Sequence, residues 1–125
     1  MTTMQASDVA SRFLDALARR DFEGLASTFN PDGRLRALVP SALREAEGRD
    51  AVAERFRIWN GDAEDWELLE SETEELADVV KLRWRVASTD PELGRTVYEQ
   101  TAYAEIDGGG IARMNLVCSG ERRAD

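Results

Sequence analysis

The sequence predicts an α+β fold: a curved, mainly antiparallel sheet with three helices from the first half of the chain closing one face, and mixed pairing allowed at the first strand. Three observations carry this. Helical periodicity is confined to residues 7–60. Four segments of the second half show period-two patterning or β-rich composition. The connectors between those segments are turn-length, and a parallel crossover needs a dozen residues or more, so neighbouring strands should run antiparallel.

The elements follow in order. From Ser7 to Arg20, Val9, Phe13, Ala16 and Leu17 fall on one helical face. Ser7 is the expected N-cap, Asp8 suits the positive end of the helix, and Arg19 and Arg20 suit the negative end. Asp21 caps a second, short helix with Phe22, Leu25, Ala26 and Phe29 on its apolar face, and Asn30-Pro31-Asp32-Gly33 ends it. Arg34 to Val39 alternates and reads as a strand, and Pro40 to Gly48 reads as a connecting loop. Asp50 is the expected cap of a third helix, which carries Val52, Phe56 and Trp59 on one side. Asn60-Gly61 is its expected left-handed close. The strands then run Trp66–Glu74, Val79–Ala87, Val97–Ile106 and Ile111–Ser119. One domain spanning residues 1–125 is expected, with residues 120–125 as a frayed tail.

Composition excludes several function classes. Sixteen Lys plus Arg face 25 Asp plus Glu, a formal charge of -9. That argues against a nucleic-acid partner, whose phosphates require cations, and against an anionic membrane surface. Residues 1–8 lack a basic region followed by an apolar one, so a cytoplasmic location is expected. There is no histidine, and Cys118 is the single cysteine. His-based triads and most zinc sites are thereby excluded, and neither metal nor cofactor is expected. With no histidine to activate it, Cys118 reads as an inert packed thiol rather than a nucleophile. The acidic stretch Asp62 to Asp78 lacks the spacing and central glycine of a calcium loop. It reads as a solvated edge hairpin.

Three segments resemble the nuclear transport factor 2-like superfamily, and its SnoaL-like and ketosteroid isomerase-like domains in particular: Phe13 to Gly33, Gly48 to Phe56, and Asp107 to Ile111 followed by a last strand. The resemblance implies that the sheet curls into a cone with the ligand inside. It also implies a test of chemistry. Ketosteroid isomerases use an inward Asp as base, with a Tyr and a protonated Asp as hydrogen-bond donors. In this chain the donor Tyr falls on Phe13, the base on Ala37 and the second donor on Ala102. None of these can exchange a proton, so enolisation by that route is not expected.

The register that the resemblance implies turns Leu35, Ala37, Val39, Leu82, Trp84, Tyr98, Gln100, Ala102, Ala104, Ile106, Ala112, Met114, Leu116 and Cys118 inward, and nearly every charge outward. The expected ligand-binding set is Tyr98, Gln100, Trp84, Cys118, Phe13, Ala37, Ala102, Met114 and Trp59. No strand carboxylate joins it. Such a lining suits an apolar or aromatic small molecule held by one or two hydrogen bonds. Two alternatives stand beside each other for the inward alanines: they leave an open cavity, or they admit larger neighbours such as Phe13, Phe56, Trp59 and Trp84. Tyr98 and Gln100 likewise either address a ligand or are satisfied by neighbours.

Three functions remain open on this basis. The first is a small-molecule-binding domain with a mostly apolar pocket. The second is an enzyme of the polyketide cyclase or isomerase type, with Glu45 or Glu47 of the 40–48 loop as its acid and Arg44 or Glu45 carried over the mouth by that loop as a lid. The third is a non-catalytic homodimer associating through the outer sheet face, where Thr101, Tyr103, Asn115 and Val117 would form a partly apolar patch.

Overall fold

The computed structural model describes residues 6–123. Helices α1 (Ala6–Ala18), α2 (Phe22–Ser27) and α3 (Arg49–Asn60) pack on an open, cone-like sheet of seven strands. These are β1 (Phe29–Val39), β2 (Ala42–Glu47), β3 (Glu64–Leu76), β4 (Val79–Asp90), β5 (Gly94–Asp107), β6 (Gly110–Cys118) and β7 (Arg122–Arg123). The order across the sheet is β2-β1-β6-β5-β4-β3, with β7 pairing with β5. Every pairing is antiparallel except β1 with β6. The expected α+β class, with mixed pairing at the first strand, is the class observed.

Side-chain alternation follows from one register across β4, β5 and β6. Leu82 sits opposite Ala102, and Ala102 opposite Leu116, all three buried. The neighbouring rung is Arg83, Thr101 and Val117, on the other face. Arg83 there holds Glu72 and Glu99 at 2.8 Å each and Glu70 at 3.4 Å. This cluster draws the Glu72 carboxyl below the usual carboxylate range, chiefly through its hydrogen bond to Arg83. The alternation breaks at the start of β6. A register shift between Glu105 and Ile106 brings Ile111 into the core and leaves Ala112 half-buried.

Several boundaries differ from the expected ones, each for a local reason. Asp21 does cap α2, accepting the Gly24 N–H at 3.0 Å. Ser7 is not an N-cap, because it lies inside α1. Phe29 leaves the helix and begins β1, so Asn30-Pro31-Asp32-Gly33 is not a turn but an irregularity within that strand, three residues longer than the matching part of β6. Gly33 is required there: a Cβ would lie 2.9 Å from the Ile111 carbonyl oxygen and 3.0 Å from that of Asn30. Gly48, at φ 89°, occupies the N-cap of α3 in place of Asp50, which falls in the first turn. Gly61 is right-handed at φ -66°, and its N–H closes the helix on the Arg57 carbonyl at 2.7 Å. The Pro40–Gly48 segment is mostly strand, because β2 folds back on β1 as a hairpin. The tail is ordered by pairing: Arg122 and Arg123 bond opposite Val97 and Thr96. Residues 124–125 of the expected frayed tail lie outside the described residues. β3 forms a sheet edge, its residues 69–76 exposed and half of them acidic.

The core lies between helices and sheet, and its centre is aromatic. The Phe13 ring meets Phe56 and Trp84 at 5.5 Å each and Phe29 at 6.2 Å. These tilted and edge-on contacts are the arrangement aromatic quadrupoles favour. Among the described residues no helix is long and apolar enough to cross a membrane. Phe13→Ala removes the hub of this cluster and should cost about 3–5 kcal/mol of stability. Urea unfolding monitored by circular dichroism would show it as a lower midpoint at unchanged slope; an unaltered midpoint would refute the hub role.

Candidate functional site

The deep interior beneath the helices is filled. Phe13, Ala37, Trp84, Ala102 and Met114 are all fully buried, and none of them lines the cavity above them. The small side chains at 37 and 102 share this core with the Phe13 and Trp84 rings, so the packed alternative describes the floor. Above it lies a cavity of about 450 Å³ at the mouth of the sheet. Six places in the chain build it: the end of β1, the C-terminus of α3 with the turn after it, the start of β3, the β4–β5 hairpin end, Tyr98 and Gln100 within β5, and the close of β6 with residues 120 and 121.

The wall is largely apolar, formed by Val39, Pro40, Trp59, Trp66, Pro91 and Cys118. Of the nine residues expected to bind ligand, Tyr98, Gln100, Cys118 and Trp59 line this cavity. Trp84 stands one layer below, where its indole N–H donates to Gln100 Oε1 at 2.9 Å. That bond orients the Gln100 amide: its oxygen is taken, and its nitrogen is left for the cavity. Gln100 is 3% exposed, and its nitrogen has no partner among the described residues.

Asn60 is the organising residue that sequence reading missed. Taken as a helix cap, it is instead 1% exposed and central to the wall. Its Nδ2 donates to the Phe56 carbonyl one turn back at 3.0 Å. Its Oδ1 accepts the Trp66 indole N–H at 3.0 Å and the Tyr98 hydroxyl. Because an indole N–H can only donate, this arrangement sets which way the amide faces. The turn after α3 is held from outside by Arg20, which donates to the Asn60 and Ala63 carbonyls at 3.0 and 2.9 Å and lies over the Trp66 ring. Arg20 serves the end of α3 rather than the end of its own helix. Asn-Gly after an amphipathic helix suggests only a cap, and nothing local predicts a partner 38 residues away.

The expectation that no strand carboxylate reaches the pocket is corrected. Glu64 at the start of β3 and Asp90 at the end of β4 line it, together with Asp62 and Glu121. Asp90 Oδ1 accepts the Glu92 and Leu93 N–H groups, and these bonds hold its carboxyl below the ordinary value. Glu121 accepts the buried Thr96 hydroxyl at 2.7 Å. These acids sit at strand ends and in turns, where alternation gives no guide to direction. Glu45 and Glu47, conversely, do not serve the interior. They project from the outer side of β2 and pair with Arg36 at 3.2 Å and Arg34 at 3.8 Å. Pairing as a strand also removes the lid that an unpaired 40–48 loop would have supplied.

Fold and cavity together define an α+β cone with an aromatic-walled pocket at its mouth. The chain belongs to the SnoaL-like domain family, whose model matches residues 10–114. No curated protein matches it by sequence. Among solved structures it is similar to a protein of ketosteroid isomerase-like fold from Catenulispora acidiphila, in complex with trimethylamine. The TM-score there is 0.71 at 11% identity, over 90% of this chain and 85% of that one. A candidate polyketide cyclase from Xanthomonas campestris gives 0.71 at 19% identity, over 90% and 88%. A nuclear transport factor 2-like protein from Cytophaga hutchinsonii gives 0.67 at 14%, over 94% and 93%. At these identities the likeness shows the fold.

Burial holds the Tyr98 phenol protonated well above its ordinary value of 10.0, with the Cys118 and Glu121 charges adding to the effect. The unfolded chain ionises this group near its ordinary value, so the contribution to stability is complete below that pH and is lost as pH rises beyond it. Tyr103→Phe leaves Tyr98 as the only tyrosine of the two. Ultraviolet titration of that variant should show native ionisation displaced to higher pH than in the urea-unfolded chain, and coincident curves would contradict this burial.

Proposed function

We propose that this chain is a small-molecule-binding domain of the SnoaL-like kind, and that the mouth cavity is its binding site. The observation that carries the reading is the composition of the wall. A cavity of about 450 Å³ is lined by two tryptophans, two prolines and a valine, with Tyr98 and Gln100 as converging polar groups. Ligand sites of small proteins are typically concave and mostly apolar with a few placed polar groups. The complex of a neighbouring fold with trimethylamine supports a small-molecule role for this architecture. In this reading Trp59, Tyr98, Gln100 and Cys118 touch the ligand. Phe13, Ala37, Trp84, Ala102 and Met114 form the rigid floor that sets its depth. Proton transfer at Phe13, Ala37 and Ala102 is no part of the reading, since these side chains carry no exchangeable proton.

Native mass spectrometry of gently purified protein should reveal a fraction carrying an added small mass. Trp59→Ala, at a half-buried wall position, should reduce that fraction about tenfold, in line with loss of an aromatic contact. Unliganded mass from every expression host, with the wall intact, would count against a binding role.

A specific observation favours a second, compatible property: homodimerisation through the outer sheet face. Leu43, Leu38, Val117 and Thr101 lie side by side across β2, β1, β6 and β5, and Tyr103 stands one rung away. Leu38, Leu43 and Val117 are each more than half exposed. Clustered apolar exposure of this kind on a sheet face marks an association surface. Tyr103→Glu should shift sedimentation toward the monomer, and an unaltered profile would clear this face of the role.

A further inference from the structure

The charge at the mouth of the cavity is organised differently from the paired ladder on the outer sheet face. On the outer sheet face carboxylates are matched by arginines: Glu45 with Arg36, Glu67 with Arg95, Glu72 and Glu99 with Arg83, Glu105 with Arg113. The four carboxylates of the cavity, Asp62, Glu64, Asp90 and Glu121, have no ion pair among the described residues. No lysine or arginine lines the cavity. Of the neighbouring guanidinium groups, Arg20 lies over Trp66 and Arg55 over Trp59, and Arg57, which is held by Glu54, also feels the Asp62 charge. A concave, low-dielectric surface bearing one sign of charge focuses its field on the space inside. The chain's net charge of -9 has the same sign.

A second, independent feature points into the same space. Gln100 is 3% exposed, its oxygen is held by Trp84, and its amide nitrogen, without a partner among the described residues, is left for the cavity that the residue lines. It therefore offers a donor to an acceptor atom on whatever enters. Between this donor and the acidic rim lie the Trp59 and Trp66 rings and the Tyr98 phenol, surfaces that accept an apolar body and attract a cation. The rim acids do not converge as a metal set among the described residues. Spread around the mouth, they set up a negative field that favours a cationic group at the rim without offering a coordination site.

We propose that the ligand is an organic ammonium: an apolar or aromatic body seated on Trp59 and Trp66, an acceptor oxygen at the Gln100 amide, and a protonated amine among Asp62, Glu64, Asp90 and Glu121. This rests on the reading of the cavity as the binding site and adds the chemical class of its occupant. Anionic ligands are disfavoured by the same charges, and a neutral one gains nothing from them.

Three probes with one indole body separate these outcomes: 5-methoxytryptamine (cationic), 5-methoxy-3-methylindole (neutral) and 5-methoxyindole-3-acetate (anionic). Each is titrated to millimolar concentration into the isotope-labelled full chain. The nuclear magnetic resonance signals of the Trp59 and Trp66 indole N–H groups and the Gln100 amide are followed. The amine should shift all three signals and bind about tenfold or more tightly than the anion, an advantage that shrinks with added salt. Asp62→Asn with Glu64→Gln, both at exposed positions, should bring the amine toward the affinity of the neutral probe while leaving the spectrum otherwise folded. Equal or tighter binding of the neutral or anionic probe, or an amine affinity indifferent to the double variant, overturns the ammonium assignment and leaves the pocket intact. Absence of any shift at these three groups with all three probes overturns the pocket itself.

Discussion

Alternation of side chains across β4, β5 and β6 is the constraint on which everything else depends. Trp84 faces in, and its two neighbours Arg83 and Arg85 face out; Gln100 faces in, and Glu99 faces out. A slip of one residue would carry two guanidinium groups and a carboxylate beneath the helices, where unpaired charge is strongly disfavoured. The outer ladder of Glu70, Glu72, Arg83, Arg85 and Glu99 gives those charges partners only in the observed register. Exposed pairs of this type add little stability individually. Their weight lies in making the wrong register costly.

With the register set, volume decides where open space is left. Phe13, Ala37 and Ala102 are fully buried, and the rings of Phe13, Phe56 and Trp84 close the deep space around them. Filling the floor in this way moves the cavity outward to the rim. There Tyr98 and Gln100 project from within β5, and the carboxylates come from strand ends and turns. The aromatic floor and the pocket are thus two consequences of one packing choice, and Trp84 joins them through its hydrogen bond to Gln100.

Asn60 has the corresponding role for the wall. One carboxamide ties the last turn of α3 to β3 through Trp66 and to β5 through Tyr98. Buried polar groups linked this way are rigid, because leaving any one of them unpaired costs more than the bond itself contributes. Arg20 extends the same link to the end of α1 by capping carbonyls of the following turn. The pocket wall is therefore built on the junction of two helices and two strands, a more exact support than a free loop provides.

Much of this was legible in the residues themselves. Periodicity at Val9, Phe13 and Leu17, the cap at Asp21, and the alternation around Trp84 and Ala102 report local geometry and burial, which one chain segment can encode. What the tertiary structure alone decided is where distant segments meet. Residues 40–47 are strand because β1 lies beside them, and the Asn30 to Gly33 turn signal is absorbed into a strand because Ile111 approaches it. Asn60 is a buried hub because Tyr98 and Trp66 arrive from elsewhere in the chain. The acidic mouth has the same origin: Asp62, Glu64, Asp90 and Glu121 come from separate turns and strand ends, and their approach depends on the curvature of the sheet, a collective property that no local pattern of residues records.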